Sequence, residues 1–418
     1  MATNLYKTAP QFFLYEAVKS HRDGKDDIAF ELAQKASGKG STTEVEGLAM
    51  CGELLFMSQR TEELSKMLEQ KSRFQSDPRW LLLQARNHRL KSDLDGSKTY
   101  LLQLLDLKIA PYLYRMASFE LIKVYELQKQ YSEAWTVATK IHQATTKEYP
   151  LNLLVEALKV TAFASPFELS RIRKATSEVP NTAFIHGLPR SGTSILEQIL
   201  DCHSAVCGIG EANLSGKMGD AIAAEGGGWP IGVLNVSEKT LNSLQQKYCS
   251  ETRGKYKIPD DKITIDKTVF PNLQPLVLAT VLPGSKIIRI TRDPRDNAIS
   301  LFLSNLDPSQ GFTKSLDTIY RFIGAEQKYI PIIYKALGIQ THTIGYEDLV
   351  ANSRQVINGC LLFLGLTWED NCLHPEKNNR VVQTLSNEQV RKPINSEGIG
   401  RWKNYGDHFG PFWNNLMQ

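Results

Sequence analysis

Residues 182–211 combine the patterns of a strand, a glycine loop and a helix in immediate succession. An apolar run at 183–185 predicts a buried strand, and the loop GLPRSG (187–192) contains two glycines and a proline. Apolar residues at helical spacing then predict a helix over 193–201. Unpaired N–H groups in a glycine loop and in a first helical turn attract anions. The stretch therefore predicts a phosphate-binding site in an α/β domain.

This loop differs from that of the nucleotide triphosphatases. Gly187 and Gly192 have the GxxxxG spacing, but Thr193 stands where those enzymes carry lysine. Arg190 is the only cation in the loop sequence. We therefore expect the loop to bind an anion without being a Walker loop.

Length and composition are those of a globular protein with more than one domain. The 418 residues are 42% hydrophobic and 22% charged, with a formal net charge of +4. That charge is too small to indicate nucleic-acid binding. The six cysteines are scattered without a CxxC pair, which argues against a zinc site and against a disulfide framework.

The sequence shows no recognisable signal peptide or membrane anchor. Its first residues lack an apolar core, and no run of about 18 apolar residues occurs. We expect a soluble, cytoplasmic protein without membrane contact. The Asn-x-Ser sequences at Asn213 and Asn235 would then be chance matches rather than glycosylation sites.

Residues 1–175 are predicted to form an all-helical domain, because Leu, Ala, Glu, Lys and Gln recur at helical spacing. A weak repeat is visible in its small or apolar positions 29, 64, 96 and 134, which lie 32 to 38 residues apart. That spacing is close to the tetratricopeptide period of about 34 residues. A repeat of this kind forms a solenoid whose concave face binds a peptide, a protein partner or a second subunit. The alternative is an irregular helical bundle.

Residues 176–418 alternate short apolar strands with helices, which predicts a parallel sheet flanked by helices. Strands are expected at 183–186, 263–266, 286–291 and 342–346. Helices are expected at 193–201, 270–282, 296–305, 316–336 and 353–364. Between 208 and 262 we expect either a long mobile stretch that closes over a substrate or a plain surface insertion.

A second candidate anion site follows the strand at 286–291. Arg292 lies at the carboxyl end of that strand, and ligands bind at this edge in open α/β sheets. Its planar guanidinium suits a phosphate, and Ser300 in the next helix adds a hydroxyl. The alternative is a structural salt bridge between Arg292 and Asp293 or Asp296.

Motifs in the second half carry a family resemblance. GLPRSGTS at 187–194, followed by RDPRDNAIS at 292–300, resembles the two nucleotide signatures of the sulfotransferases that use 3′-phosphoadenosine 5′-phosphosulfate (PAPS). YEDLV (346–350) and TLSNEQVRKPINSEGIGRW (384–402) are similar to the branch that joins tetratricopeptide repeats to a sulfotransferase domain, and to tyrosylprotein sulfotransferases. The resemblance covers roughly residues 180–410 and implies the P-loop-like sulfotransferase fold.

The resemblance also implies which residues hold the donor. Arg292 and Ser300 would bind the 3′-phosphate, Tyr346 matches an adenosine contact, and Arg401 matches a basic position near the phosphates. The 5′-phosphosulfate would lie on five consecutive residues of the first motif: Arg190, Ser191, Gly192, Thr193 and Ser194.

One position departs from the tyrosylprotein pattern. Ser304 stands where those enzymes tend to have a further arginine. One contact to the 3′-phosphate is therefore expected to be weaker or to be supplied by Arg391 or Lys392.

In-line sulfuryl transfer requires positioning, stabilisation of the leaving phosphate and a base for the acceptor proton, and no metal ion is expected. The resemblance implies that Glu211 is the base, that Lys267 and Ser386 stabilise the transition state, and that Arg190 steadies the 5′-phosphate. A carboxylate acts as a base near neutral pH when burial raises its pKa. The alternatives are a capping or surface role for Glu211 and a salt bridge between Lys267 and Asp266.

Histidine is the base in the cytosolic small-molecule sulfotransferases, so the two histidines near the loop need an assignment. His186 belongs to the first strand and His203 follows the first helix. We expect both to be packed or capping residues, which leaves Glu211 as the better candidate for the base.

The leading hypothesis is a PAPS-dependent sulfotransferase that acts on the hydroxyl of a small metabolite or of a peptide tyrosine. The first alternative is a P-loop kinase or nucleotidase that uses ATP and magnesium, against which the missing lysine at Thr193 counts. The second is a repeat-based binding module with an inactive transferase domain, against which the complete motifs count.

Overall fold

The computed structural model describes residues 9–22, 24–70, 74–144, 149–177, 181–212, 214–268, 274–307, 310–378, 380 and 390–416. The chain divides into two compact units. One contains Met1–Thr145 with Leu303–Asn305, and the other contains Thr146–Phe302 with Leu306–Gln418.

The first unit is helical, as predicted. Ala29, Leu64 and Ala134, three positions of the weak repeat, are fully buried, whereas Gly96 is half-buried. The tetratricopeptide assignment and the binding role of a concave face stay predictions. The helices are α1 (Pro10–Arg22), α2 (Asp26–Ala36), α3 (Glu44–Met57), α4 (Thr61–Gln70), α5 (Pro78–Leu90), α6 (Leu94–Leu105), α7 (Pro111–Leu127) and α8 (Tyr131–Gln143).

The second unit alternates helices and strands. Its strands are β1 (Thr182–His186), β2 (Val206–Gly208), β3 (Ile263–Asp266), β4 (Lys286–Thr291) and β5 (Thr341–Gly345). Its α-helices are α9 (Leu151–Ala162), α10 (Pro166–Ser170), α11 (Thr193–Asp201), α12 (Leu214–Gly226), α13 (Glu238–Tyr256), α14 (Gln274–Val281), α15 (Pro294–Phe302), α16 (Leu316–Leu337), α17 (Tyr346–Ala351) and α18 (Ser353–Leu364). Short 3₁₀ helices lie at Ile231–Leu234, Gly311–Lys314, Asp370–Leu373, Pro375–Lys377, Arg401–His408 and Pro411–Leu416.

Within the described residues, the five strands form one sheet in the order β2-β3-β1-β4-β5, and every neighbouring pair is parallel. Helices cover both faces of the sheet. Alternate residues of a strand point to opposite faces, so neighbouring residues of β1 contact different helices. Phe184 packs with α9, α12, α13, α14 and α16, whereas Ile185 packs with α11, α17 and α18. This confirms the predicted parallel sheet flanked by helices.

The stretch 208–262, for which we expected a mobile segment or a surface insertion, folds into α12 and α13 and belongs to the core. Ile222, Leu241 and Tyr248 are buried with Phe184 of the central strand. The GGGWP sequence at 226–230 suggested an irregular loop, yet it occupies only the connection between these helices. The apolar spacing within α13 was the signal that the glycines obscured.

The units divide after Thr145, upstream of the domain boundary predicted near residue 175. Leu158 and Ala162 of α9 are buried in the same core as strands β1 and β4, which is why α9 groups with the sheet. The functional assignment of the two predicted domains stays a prediction.

None of the helices in the described ranges is long and apolar enough to cross a membrane.

Candidate functional site

Sequence-predicted site residues follow the carboxyl ends of all five described strands. The glycine loop follows β1, Glu211 follows β2, Lys267 follows β3, Arg292 follows β4 and Tyr346 follows β5. These ends share one edge because the strands are parallel. The strand order places the loop in the centre, with the two candidate catalytic groups on one side and the two candidate nucleotide contacts on the other.

The central loop has the geometry of an anion-binding turn. Arg190 and Gly192 have positive φ values of 69° and 105°, and Gly192 begins α11 without a side-chain cap. A Cβ atom at Gly187 would lie 2.6 Å from the backbone oxygen of Ile290, so only glycine fits where the loop touches β4. The uncapped first turn of α11 therefore offers N–H groups to a negative ligand.

Tyr346 covers the loop from the β5 side. A Cβ atom at Gly192 would lie 2.6 Å from its Cδ2, so the ring sits directly against the loop backbone. The guanidinium carbon of Arg292 lies 5.0 Å from the centre of the same ring. Burial raises the pKa of Tyr346, so the phenol stays neutral. Its ring forms one side of the space around the loop.

Arg292 is held by backbone oxygens of two segments. Its Nη1 donates to the carbonyl of Arg190 at 2.8 Å and its Nη2 donates to the carbonyl of Gly398. Its Nε is buried and has no hydrogen-bond partner among the described residues. Burial lowers the pKa of this guanidinium, which remains far too basic to lose its charge.

The salt-bridge alternative for Arg292 does not occur among the described residues. Asp293 pairs instead with Arg295 at 2.9 Å. Asp296 is buried and accepts from the backbone N–H groups of Gly400 and Trp402 at 2.6 and 2.8 Å. Asp296 therefore ties the C-terminal segment that contains Arg401 to the start of α15.

The residues predicted to bind the 5′-phosphosulfate contact those predicted to bind the 3′-phosphate. Arg190 Nε donates to Ser300 Oγ at 3.0 Å, and Asn297 on the same helix donates to the carbonyl of Pro189 at 2.9 Å. Ser191 is 2% exposed, and its Oγ has no hydrogen-bond partner in the part of the chain that the structure describes. The residues present therefore suit a ligand with two closely placed anionic groups.

Lys267 and Glu211 form an ion pair at the other side of the loop. Lys267 Nζ donates to Glu211 Oε1 at 2.6 Å. The side chain of Lys267 is fully buried, whereas that of Glu211 is 48% exposed. The carboxylate is therefore open to an incoming molecule, while the ammonium is fixed beneath it. From the sequence we considered a buried Glu211, but about half of this side chain is exposed in the structure.

Asp266 does not pair with Lys267, contrary to the alternative considered above. Its Oδ1 accepts from the backbone N–H and hydroxyl of Thr268 at 2.9 and 2.6 Å, and its Oδ2 accepts from Tyr248 at 3.0 Å. The side chain is fully buried, and burial raises its pKa to about 6. Asp266 therefore fixes the turn that precedes the lysine.

Asp266→Asn is expected to change how stability depends on pH. The folded protein binds a proton on Asp266 below about pH 6, whereas the unfolded chain does so only near 3.8. Stability from this group therefore rises as the pH falls through 6. Relative to the variant, the wild type should gain about 1 kcal/mol of unfolding free energy between pH 7 and 5, measured by urea titration. Parallel pH profiles would contradict this assignment.

The remaining predicted residues have different outcomes. Ser386 lies outside the described residues, so its role stays a prediction. Lys392 pairs with Glu397 at 2.8 Å in an exposed position. Arg401 lies between Gly400 and Trp402, whose N–H groups donate to Asp296, and after burial its positive charge also lowers the pKa of Arg292.

The two histidines are structural. His186 is buried beside the hydroxyl of Tyr334, and burial lowers its pKa to about 3. His203 is 4% exposed, donates to the carbonyl of Thr367 at 3.0 Å and accepts from the N–H of Ala205 at 3.0 Å. Both are packed or capping residues, as expected.

One cluster escaped the sequence analysis. Arg380 lies 2.9 Å from Glu197 Oε1 and 3.3 Å from Asp201 Oδ2. Both carboxylates belong to α11 and are four residues apart, so they project from the same face. Two carboxylates at this spacing, immediately after a phosphate loop, could have indicated a charged cluster. Nothing in the sequence connects them with Arg380.

Comparison with known proteins shows which family this part of the chain is similar to. Residues 180–370 match the model of the sulfotransferase family. The match covers slightly less than half of the 418 residues. The resemblance to sulfotransferases is thereby confirmed, and the family match begins just before β1 and includes the edge with the predicted site.

Two relatives show the extent of the similarity. An uncharacterized protein of Aquifex aeolicus is 27% identical over 309 residues, which are 71% of this chain and 40% of that protein. Protein-tyrosine sulfotransferase 2 of Gallus gallus is 27% identical over 234 residues, 52% of this chain and 62% of that enzyme. The chain therefore spans less than two thirds of either relative. The solved sulfotransferase domain from the curacin biosynthetic pathway covers 57% of this chain and 97% of its own length, at 19% identity and a TM-score of 0.41.

Proposed function

We propose that this chain transfers a sulfuryl group from PAPS to an acceptor hydroxyl, with Glu211 as the base. One observation carries the proposal: an accessible carboxylate that follows β2 is paired with a buried lysine that follows β3, at the same sheet edge as the glycine loop and the uncapped start of α11. The match of residues 180–370 to the sulfotransferase family model supports this reaction class. The donor, the acceptor and the residue roles are the proposal.

The loop and its neighbours would hold the donor. The loop N–H groups and the hydroxyls of Ser191, Thr193 and Ser194 would bind the 5′-phosphosulfate, because their side of the loop is buried and α11 lacks a cap. Arg190 would neutralise the same phosphate. These residues would hold a strongly anionic group without help from a lysine in the loop.

The nucleoside end would lie on the β4 and β5 side. Arg292 and Ser300 would bind the 3′-phosphate, and the unpartnered Nε of Arg292 is the donor that this phosphate would satisfy. The ring of Tyr346 would support the adenosine, and Arg401 would add positive charge. The sequence-predicted assignments of these four residues are therefore compatible with the geometry.

The reaction would take place between the loop and the β2–β3 side. Glu211 would take the proton of the acceptor hydroxyl as its oxygen bonds to sulfur. The bond between sulfur and the phosphate oxygen breaks in the same in-line step, which leaves adenosine 3′,5′-bisphosphate. Lys267 and Ser386 would stabilise the charge on that leaving oxygen.

The acceptor would cover Glu211, whose side chain is half exposed in this structure. The relatives that are protein-tyrosine sulfotransferases support a tyrosine phenol as the acceptor. A hydroxylated metabolite fits the same chemistry. Incubation with ³⁵S-labelled PAPS and an extract of the cells that make the protein, followed by identification of the labelled product, distinguishes them.

Thermal unfolding with added nucleotides tests the donor. A ligand that binds only the folded state raises its melting temperature. We expect adenosine 3′,5′-bisphosphate to stabilise the protein without magnesium. Stabilisation by magnesium–ATP alone, together with ATP turnover, would favour the kinase alternative. Stabilisation by adenosine 3′,5′-bisphosphate without any transfer would favour the inactive module.

Arg292→Ala is expected to weaken binding of adenosine 3′,5′-bisphosphate about 10- to 100-fold, because a charge-assisted bond contributes about 1.5–3 kcal/mol. Arg292→Lys keeps the charge but not the planar fork, so its affinity should be intermediate. Isothermal titration calorimetry measures both. Arg354→Ala is the matched control, because this exposed arginine of α18 pairs only loosely with Asp370 at 3.4 Å. Unchanged affinity in Arg292→Ala would refute the phosphate role.

A further inference from the structure

The turn that leads to Glu211 is held at almost every backbone polar group. The N–H of Gly208 donates to Asp201 Oδ1 at 2.6 Å, and the N–H of Gly210 donates to Glu197 Oε1 at 2.6 Å. The carbonyl of Gly208 accepts from Arg380 Nη1 at 2.7 Å. The turn is therefore anchored to side chains of α11 and to Arg380.

Backbone hydrogen bonds also join this turn to β3 and to the residue that follows it. The N–H of Ile209 donates to the carbonyl of Ile265 at 2.9 Å, and the carbonyl of Gly210 accepts from the N–H of Lys267 at 3.0 Å. Gly210 has a φ of 68°, which favours glycine. Because one bond joins the turn to Lys267 itself, the positions of the two catalytic candidates depend on the same backbone.

Among the described residues, Arg380 is the cation that pairs with the two carboxylates beneath the turn. Glu197 is fully buried and Asp201 is 12% exposed, and both contact Arg380. A Cβ atom at Gly208 would lie 3.0 Å from Glu197 Oε1 and 3.2 Å from Arg380 Cζ, so a side chain there would push these groups away by a few tenths of an ångström. Without Arg380, two carboxylates on one face of α11 would repel each other, and their hold on the turn would loosen.

We propose that Arg380, with Glu197 and Asp201, is a positioning group that holds Glu211 over Lys267 for proton removal. This inference rests on the proposed function, because it assumes that Glu211 is the base. Arg380 acts through the backbone of 208–210 and does not contact the reacting atoms. Its effect should therefore appear in turnover rather than in donor binding.

The test compares Arg380→Met with Arg380→Lys and with Arg354→Met, an exposed arginine in the same unit. We expect kcat of Arg380→Met to fall at least 10-fold while the Kd of adenosine 3′,5′-bisphosphate changes less than twofold. Arg380→Lys should recover part of kcat because it restores the charge. Arg354→Met should match the wild type. An unchanged kcat in folded Arg380→Met would overturn the proposal.

Hydrogen exchange supplies a readout that needs no turnover. Amides of 208–211 should exchange at least 10-fold faster in Arg380→Met than in wild type, and at the wild-type rate in Arg354→Met. If Arg380→Met does not fold, Glu197→Gln keeps an acceptor for Gly210 but loses the charge, and the same acceleration is expected. Unchanged exchange would overturn the proposal. A wild type that transfers nothing from PAPS would instead refute the proposed function, while the exchange result still decides whether Arg380 holds the turn.

Discussion

Glu211→Gln is expected to reduce sulfuryl transfer by about 10²–10³-fold, because a positioned general base contributes rate factors of about 10²–10⁴. Glutamine has nearly the shape of glutamate but cannot take the acceptor proton. The affinity for adenosine 3′,5′-bisphosphate should stay within twofold, because Glu211 follows β2 while Arg292 and Tyr346 follow the strands on the other side of β1. Initial rates and calorimetry measure the two quantities separately.

A matched control for this variant is Glu251→Gln in α13. Glu251 is a partly exposed carboxylate that pairs with Lys247 at 3.8 Å, but it belongs to a helix on one face of the sheet rather than to the candidate edge. Its turnover should equal that of the wild type. Normal turnover in Glu211→Gln would remove Glu211 from the mechanism.

Lys267→Met is expected to lower kcat about 10²–10³-fold. Methionine fills the space of the buried lysine stem without its charge, and loss of one preorganised donor to a developing charge costs about 3–4 kcal/mol of transition-state stabilisation. The loss in affinity for adenosine 3′,5′-bisphosphate should be much smaller, because the charge on the bridging oxygen develops during transfer. Single-turnover kinetics with saturating PAPS separates these effects.

The control is Lys262→Met, a lysine just before the amino end of the same strand β3. It lies at the opposite edge of the sheet, so its kcat should be unchanged. The double variant Glu211→Gln/Lys267→Met adds a coupling test: groups that act as a unit give a combined loss smaller than the product of the single losses. Full multiplication of the two losses would indicate that the ion pair is not a functional unit.

The strand ends were predictable because their signals are local. Apolar runs such as KIIRIT at 286–291 belong to parallel strands buried on both faces, and the polar residue after each run marks the ligand-binding edge. The glycine loop was likewise recognisable in the sequence, because the positive φ angle at Gly192 favours glycine. The short edge strand β2 gave no such signal, since it contains only three residues.

Long-range pairing was not predictable in the same way. Lys267 has Asp266 beside it in sequence, yet it pairs with Glu211, because Asp266 is already occupied by Tyr248 and Thr268. Arg380 meets Glu197 across a separation that no local pattern records. The partner of each charged side chain depends on which side chains the folded sheet brings together at its edge.

Sulfuryl transfer itself tests the proposed function most directly. The purified protein is incubated with ³⁵S-labelled PAPS and the cell extract, without added magnesium, in parallel with Glu211→Gln. We expect label on the hydroxyl oxygen of a product, formed at least 100-fold more slowly by the variant. Transfer at equal rates by both proteins would contradict the proposed function, and so would absence of transfer by a wild type that hydrolyses ATP in a parallel assay with magnesium.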